Sequence, residues 1–159
     1  MNVKYHFVAL PRIGLLCLLV MLAGCASGPT RDSVADKNST NTPTASNLAG
    51  TEWFLEDIAG AGVLDNAQAT LSFAEEFASN GKISGNGSCN NFSGSASVDA
   101  GKVSVGPLAT TRMACVPAVD DQEMRYMKAL QGAERLRFDG PYLFLYAKGM
   151  DKPLRFIRK

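Results

Sequence analysis

The sequence predicts a mostly β protein: a small antiparallel β-barrel-like domain of seven or eight strands with one α-helix. Three observations predict this fold class. From residue 49 onward, short runs of alternating apolar and polar residues recur, as in strands with one buried face. Glycine, asparagine, aspartate and proline separate these runs. A single segment, residues 117–132, has helical periodicity instead.

The first 24 residues have the composition of an export signal. Lys4 and Arg12 precede an apolar run from Ile13 to Ala23, and residues 1–24 contain no acidic residue. A helix of that length spans only about 16 Å, roughly half of a bilayer's hydrocarbon core. We therefore predict that residues 1–24 are a cleaved signal peptide.

The segment Leu22-Ala23-Gly24-Cys25 matches the bacterial lipobox, in which the cysteine accepts a diacylglycerol. The match predicts lipidation of Cys25, and multiple acyl chains anchor a protein stably. Ala26 follows, where an aspartate favours retention in the inner membrane. The resemblance therefore implies a lipoprotein anchored to the outer membrane and facing the periplasm. Cleavage before Cys25 also removes His6, the one histidine in the sequence.

Residues 25–48 are predicted to be the lipidated cysteine and a flexible tether. Residues 26–48 are rich in serine, threonine, asparagine, aspartate and proline, and they hold almost no large apolar group. Such a segment cannot bury enough surface to offset its ordering entropy. A flexible chain of this length reaches about 25–30 Å. The folded domain is therefore expected to comprise residues 49–159.

Alternation within each run places its apolar residues on one face of a strand. Ala69, Leu71 and Phe73, for example, alternate with Thr70 and Ser72. We expect the barrel core to contain these three and the matching residues of the other runs. Those residues are Trp53, Leu55, Phe92, Gly94, Ala96, Val98, Val103, Val105, Leu136, Phe138, Leu154 and Phe156.

The predicted helix lies within residues 117–132. Asp120 and Glu123 stand at capping-box spacing, which predicts a helix start at this point. Three apolar residues then recur at every third position: Met124, Met127 and Leu130. This spacing predicts one amphipathic helix of about three turns. Closing the sheet, or covering its open end with this helix, would protect the strand edges.

The segment Tyr142–Tyr146 is apolar on both faces of the predicted strand. Two interpretations are open. It is a central strand with one face in the barrel and the other under the helix, since strands buried on both faces have this composition. Alternatively, its aromatic residues form one wall of a ligand cavity.

The glycine-rich segment Gly85–Gly94 does not fit a phosphate-binding loop, because the third glycine is missing and an alternating strand follows. Zinc is also excluded, since Cys89 and Cys115 without a histidine are too few ligands. We expect no metal and no cofactor. The two cysteines lie 26 residues apart, and paired thiols are usual in an oxidising compartment. We predict a Cys89–Cys115 disulfide.

These segments resemble the META/HslJ family of small bacterial envelope proteins, and the similarity covers residues 49–159. The matching positions are Gly50, Trp53, the Gly85–Gly94 segment with Ser88 in place of a glycine, Thr111, Met113, Cys115, Glu123, Tyr126, Leu130, Leu143, Leu145, Leu154 and Phe156. The resemblance implies a compact barrel-like fold with a helix. It also implies links to envelope stress and to tolerance of a hydrophobic antibiotic. It supplies no catalytic residues.

Three function classes follow from the sequence. The first is a noncatalytic envelope module, most simply a monomer, that binds a lipid, a hydrophobic small molecule or an envelope protein, and not nucleic acid. The second is a periplasmic inhibitor of a lysozyme or protease. The third is a hydrolase that uses a carboxylate pair, because histidine-activated nucleophiles are absent from the mature chain. The acidic candidates for that pair are Glu52, Glu56, Asp57, Glu75 and Glu76.

The charges of the mature chain are strongly segregated. Residues 25–123 carry a net charge of −7, and residues 124–159 carry +6. Alternation places Arg135, Arg137 and Arg155 on the outward face of two strands. We predict that these arginines form an outward basic stripe, extended by Arg158 and Lys159. The stripe either docks anionic groups of the envelope, such as lipid phosphates or peptidoglycan carboxylates, or guards a sheet edge against aggregation.

Overall fold

The computed structural model describes residues 41–159. Its strands are β1 (Glu52–Ile58), β2 (Ala61–Gly62), β3 (Thr70–Phe73), β4 (Lys82–Asn86), β5 (Asn91–Asp99), β6 (Lys102–Val105), β7 (Ala109–Thr110), β8 (Ala133–Asp139), β9 (Tyr142–Ala147) and β10 (Leu154–Arg158). Its helices are α1 (Ala45–Leu48), α2 (Phe77–Asn80) and α3 (Pro117–Gln131).

Eight of these strands form a closed antiparallel barrel, which confirms the predicted fold class. The order around the barrel is β1, β3, β4, β5, β6, β8, β9 and β10, and β10 pairs with β1 to complete the circle. The two-residue strands β2 and β7 pair with β1 and β5. Each of the eight barrel strands therefore has a neighbour on both sides, although β6 and β8 share only the residue pair Lys102 and Arg135.

The barrel interior is apolar and packed. As predicted, the inner faces carry Trp53, Leu55, Ala69, Leu71, Phe73, Phe92, Ala96, Val98, Val103, Leu136, Leu154 and Phe156, all buried. The other three predicted core residues, Gly94, Val105 and Phe138, are only partly buried. The space left between the strands and α3 measures about 10 Å³. A cavity needs roughly 10–15 Å³ to hold a single water. The interior described here therefore has no room for a ligand.

Helix α3 closes one end of the barrel through a face that includes the predicted Leu130 and partly buries the predicted Met127, but excludes Met124. Its buried residues are Gln122, Tyr126, Ala129 and Leu130. Met124, which was predicted to lie on the apolar face, is 66% exposed. The Tyr126 ring packs edge-on against Phe92 and Phe156 inside the barrel. Its hydroxyl donates to the Thr70 carbonyl at 3.0 Å, and burial raises the pKa of Tyr126 far above its ordinary value.

The predicted capping box is wrong. The helix begins at Pro117, with Val116 as its N-cap, so Asp120 lies inside the first turn. Proline suits the first helical position because its fixed φ matches the helix and its missing N–H has no partner there anyway. Glu123 is thereby free to turn away from the helix backbone. It binds a loop of the barrel instead.

The domain begins earlier than the predicted boundary at residue 49. Pro43 and Leu48, at the end of the predicted tether, are fully buried. The Gly101 amide donates to the Pro43 carbonyl at 2.8 Å, which fastens this segment to the barrel. A local capping box at Thr44 stabilises α1. The predicted signal peptide and Cys25 lie outside the described residues.

Within residues 41–159, no helix has the length and apolar character needed to cross a membrane.

Candidate functional site

The predicted disulfide is present. Cys89, in the loop between β4 and β5, is bonded to Cys115, and their Cα atoms are 6.2 Å apart. Asp120 lies close enough to both sulfurs to complete a three-ligand cluster. The two sulfurs are bonded to each other, however, so neither is available as the thiolate that a metal requires. The cluster therefore fixes the loop before α3 and offers no metal centre.

A group of polar side chains, which we call the polar knot, joins this loop to α3. The Glu123 carboxylate accepts hydrogen bonds from the Cys89 amide at 3.0 Å, from the Asn90 amide at 2.6 Å and from Asn90 Nδ2 at 2.8 Å. Asn90 Oδ1 in turn accepts from Thr111 Oγ1 at 3.0 Å and from the Met113 amide at 2.7 Å. The knot thus connects the two cysteine-bearing segments.

Gln122 forms the second half of the polar knot. Its side chain is fully buried and bonds to the Leu64 amide, the Ala67 carbonyl and Ser88 Oγ, each within 2.8 Å. Ser88 has a φ of 110°, a conformation that favours glycine. The serine that replaces the family's glycine therefore gains a hydrogen bond in exchange for backbone strain. Gly87 is also required, because a Cβ there would lie 2.8 Å from Glu123 Oε2.

The polar knot is saturated. Among the described residues, every buried side-chain nitrogen and oxygen has a hydrogen-bond partner. A satisfied network of this kind holds one geometry and has no free group to offer a substrate. The sequence predicted neither Asn90 nor Gln122 as a site residue. The available signal was the loop itself, since a glycine- and asparagine-rich bend exposes backbone amides that need an acceptor.

The acidic candidates for a catalytic pair have separate partners. Glu52 pairs with Lys159 at 3.1 Å, and Glu56 pairs with Arg155 at 3.3 Å. Asp57 accepts a hydrogen bond from the Gly60 amide in the turn that follows β1. The remaining two, Glu75 and Glu76, are exposed just before α2. These placements are those of surface ion pairs and turn residues.

The outer surface of β8, β9 and β10 carries a second group of interest, which we call the arginine–aromatic face. It consists of Arg135, Arg137, Arg155, Tyr142, Phe144 and Tyr146. The Arg135 guanidinium lies 3.9 Å from the centre of the Tyr146 ring. The Arg137 and Arg155 guanidiniums each lie 5.5 Å from a ring centre, over Phe144 and Tyr142 respectively.

Strand register explains this arrangement. Arg137 and Arg155 flank Phe144 as its direct neighbours on β8 and β10, and Arg135 is the neighbour of Tyr146. Of the two interpretations of Tyr142–Tyr146, the first is correct for the inner face, where Leu143 and Leu145 are buried. Both are wrong for the outer face. The rings lie neither under the helix nor around a cavity, but under arginines.

The arginines are exposed although two of them have carboxylate partners. The Arg137 and Arg155 side chains are 48% and 45% exposed, and they pair with Asp139 and Glu56 at 3.0 and 3.3 Å. Edge protection does not explain Arg155, because β10 pairs with β1 and β9 on both sides of this residue. On β8 the pairing with β6 is limited to Lys102 and Arg135, so both roles stay open for Arg137.

The two residues predicted to extend the stripe are separated. Lys159 lies on the outer side, 5.4 Å from the centre of the Phe54 ring. Arg158 lies two residues after the buried Phe156 on β10, so its side chain is on the inner side of the strand, at the barrel mouth. Its guanidinium lies 5.9 Å from the centre of the Trp53 ring. Alternation along β10 accounts for both positions. Only Lys159 adjoins the arginine–aromatic face.

The family follows from comparison with known proteins. The sequence profile of the META domain matches residues 46–159. The chain belongs to the META family. This confirms the resemblance drawn from the cysteine-bearing segments, and it fits a noncatalytic domain, because META domains are not a known enzyme family. No functionally curated protein matches the chain.

Two solved structures have a fold similar to that of this chain, with TM-scores above 0.5. An NMR structure of a protein 27% identical to this chain has a TM-score of 0.58 and matches 72% of this chain and 94% of its own. An NMR structure of a protein from Burkholderia xenovorans, also 27% identical, has a TM-score of 0.56 over 71% of this chain and 84% of its own. A crystal structure of a DUF4847 family protein from Bacteroides vulgatus is 14% identical, with a TM-score of 0.49 over 69% of this chain and 93% of its own.

Proposed function

We propose that this META domain is a noncatalytic binding module of the bacterial envelope. In this proposal a lipid on Cys25 holds it at the outer membrane, and its arginine–aromatic face docks onto the phosphate headgroups of anionic lipids. The observation that carries the proposal is the set of three exposed arginines on the outer surface of β8 and β10, whose guanidiniums lie over aromatic rings at 3.9 Å for Arg135 and 5.5 Å for Arg137 and Arg155. The envelope-stress role implied by the family would act through this contact.

The packed interior favours a surface contact over a ligand inside the barrel. Ligand pockets in proteins measure roughly 300–1,000 Å³. The barrel interior offers about 10 Å³. A hydrophobic small molecule could enter only by displacing core side chains, at a cost in packing. Binding by this module is therefore expected on its outside.

Stacking prepares the arginines for phosphate. A guanidinium that rests on a ring keeps its N–H groups at its rim, where they match the oxygens of a phosphate. The ring also holds the side chain in place, so less rotamer entropy is lost when the phosphate binds. The ion pairs to Asp139 and Glu56 are partly exposed, and such pairs contribute only about 0–1 kcal/mol. A phosphate can replace them at little cost.

The aromatic residues favour a lipid surface over peptidoglycan. Tyr142 and Tyr146 are half-buried, with an apolar body and a polar tip. Side chains of this kind are typical of the boundary between headgroups and acyl chains. Sugar binding would need open ring faces, whereas the Arg135 guanidinium lies 3.9 Å over the Tyr146 ring. Because the domain begins near Pro43, a flexible tether of residues 26–42 would keep it about 20–25 Å from the predicted anchor.

Vesicle binding tests the docking contact. The protein is the unlipidated mature chain, residues 25–159 with Cys25→Ser, which contains the whole closed barrel. Phosphatidylcholine vesicles with and without phosphatidylglycerol are compared at low salt. We expect binding only with phosphatidylglycerol and weakening as salt rises. Changing Arg135, Arg137 and Arg155 to Gln removes about 1 kcal/mol per arginine, or roughly a hundredfold in affinity.

A matched control separates this face from net charge. The variant Lys82→Gln, Arg112→Gln and Lys152→Gln loses three charges from other surfaces, and it should bind like the parent. Equal loss in both triple variants, or no binding to the anionic vesicles at low salt, would contradict the docking contact. Binding to purified peptidoglycan but not to vesicles would assign the face to that polymer instead.

The anchor is tested separately in cells. Cys25→Ser should abolish lipidation and leave an unprocessed precursor, because the cysteine is the lipid acceptor in the lipobox. Membrane fractionation and the size of the band on a gel report both events. A Cys25→Ser protein of mature size that still fractionates with the membrane would contradict the anchor.

A protein partner is the second candidate, in line with an inhibitor of a lysozyme or protease. One observation favours it: the segment between β7 and α3 is exposed and carries Met113 and Val116, which are 56% and 64% exposed. The disulfide and the polar knot hold this segment rigid, as an inhibitory segment requires. Inhibition of a periplasmic lysozyme that is lost in Met113→Ser would support this candidate.

A further inference from the structure

A groove runs along the closed end of the barrel, on a surface separate from the arginine–aromatic face. It lies between the second half of α3, the turn after β1 and the turn between β9 and β10, and its volume is about 320 Å³. That volume is at the lower end of the range for ligand pockets. The barrel interior, by contrast, holds about 10 Å³.

The rim of the groove is basic. Arg125 and Lys128 reach it from consecutive turns of α3, and Lys148 reaches it from the turn that follows β9. No aspartate or glutamate lines the groove. Arg125 uses its Nε to bind Asp121 at 3.1 Å, which leaves the Nη groups of the guanidinium. Among the described residues, Lys128 and Lys148 form no ion pair.

The floor of the groove is apolar. Ile58 and Ala129 are 3% and 1% exposed, and Met150 packs against the same core. A floor of this kind receives aliphatic groups, and the flexible methionine adapts to their shape. Lys128 also lies in the last turn of α3, where a cation complements the helix dipole. Lys148 lies on a turn outside any helix, so the dipole does not account for it.

We infer that this groove binds a single-chain amphiphile with a phosphate head, the phosphate between the three cations and the start of the chain on the apolar floor. Three cations carry more positive charge than a single carboxylate neutralises, whereas a phosphate monoester carries a charge of about −1.5 to −2 at neutral pH. Arginine and lysine are both suited to phosphate. The inference goes beyond the proposed function, and the two surfaces share no residue.

The experiment titrates octyl phosphate, below its micelle concentration, into the unlipidated mature chain and follows amide shifts by NMR. We expect saturable shifts at Ala59, Ala129 and Gly149. Inorganic phosphate should bind more weakly, because it lacks the chain, and octyl glucoside should give no shift in these amides. Lys128→Gln combined with Lys148→Gln should weaken octyl phosphate binding by about tenfold or more.

Two controls make the result decisive. Lys82→Gln combined with Lys102→Gln removes the same charge from other strands and should leave the affinity unchanged. The variant with Arg135, Arg137 and Arg155 changed to Gln should bind octyl phosphate normally, while the groove variant should keep its vesicle binding. Equal loss in the two lysine variants would overturn the inference. So would equal affinity for inorganic and octyl phosphate, or shifts scattered over the whole barrel.

Discussion

The polar knot and the arginine–aromatic face are both rich in hydrogen-bonding groups, but they differ in what surrounds those groups. In the knot, Asn90 and Gln122 are 7% and 0% exposed, and each polar atom has a fixed partner. On the face, the Arg137 and Arg155 side chains are 48% and 45% exposed, and their partners are other exposed side chains. The same kinds of atoms are therefore fixed in place in the knot and accessible to solvent on the face.

Burial determines the difference. Removing one member of a buried network leaves its partners without water or protein to bond, which costs about 1–3 kcal/mol or more. Removing an exposed ion pair costs about 0–1 kcal/mol, because water takes its place. We therefore assign the knot to the stability of the fold, and we propose that the face binds a partner. Four variants test this division, and their expected effects on stability run from large to small.

The largest effect is expected from the disulfide that borders the knot. Changing Cys89 and Cys115 to Ala should lower the free energy of unfolding by roughly 3–4 kcal/mol, because the bridge closes a loop with 26 residues of sequence separation. Chemical denaturation measures the loss, and intact mass after alkylation verifies the bridge in the parent. A loss below about 1 kcal/mol would show that the knot holds the loop without the bridge.

Within the knot, Glu123→Ala should lower the free energy of unfolding by about 3 kcal/mol. The substitution leaves the backbone amides of Cys89 and Asn90 and the Asn90 side-chain amide without an acceptor. Glu134→Ala is the matched control, because Glu134 is exposed and belongs to no ion pair among the described residues. It should change the free energy of unfolding by less than about 0.5 kcal/mol. Similar losses in the two variants would argue against a structural role for the knot.

A single buried hydroxyl gives a smaller effect. Tyr126→Phe removes the bond to the Thr70 carbonyl and should cost about 1 kcal/mol, because the ring stays in place. Tyr142→Phe, on the exposed side of β9, should have almost no effect on stability. The comparison is made by chemical denaturation at neutral pH. Equal effects of the two substitutions would contradict the assigned environments.

The smallest effect is expected from the face. Changing Arg135, Arg137 and Arg155 to Gln should lower the free energy of unfolding by at most about 1 kcal/mol in total, because these arginines are exposed. The same protein should lose its affinity for anionic vesicles. A loss of stability as large as that of Glu123→Ala would mean that the arginines serve the barrel itself.

The strands were predictable from the sequence because alternation reports directly which side chains are buried. Leu71 and Phe73 were placed correctly on this basis. The buried face of the helix was harder to predict. Gln122 is buried and Met124 is exposed, the reverse of what their polarity suggests, because three hydrogen bonds satisfy the buried amide. Spacing alone does not reveal a polar residue whose partners come from distant loops.

The sites were predictable in part. The disulfide was predicted from two cysteines in a chain expected to reach an oxidising compartment. The outward positions of Arg135 and Arg155 were predicted from strand alternation. Their pairing with the aromatic rings did not, because it depends on which strands are neighbours and on their register. The sequence left open whether the sheet closes on itself or is covered at its open end by the helix. Closure gives β10 neighbours on both sides, so edge protection does not account for Arg155.

The most direct test of the proposed docking asks which surface of the barrel meets an anionic membrane. Nanodiscs of phosphatidylcholine and phosphatidylglycerol with a spin-labelled headgroup are mixed with the unlipidated mature chain, and amide broadening is mapped by NMR. We expect broadening at Tyr142–Tyr146 and Arg155, and none at Ser84 and Ser93 on the outer face of β4 and β5. Broadening centred on those serines, with Tyr142–Tyr146 unaffected, would contradict docking through the arginine–aromatic face.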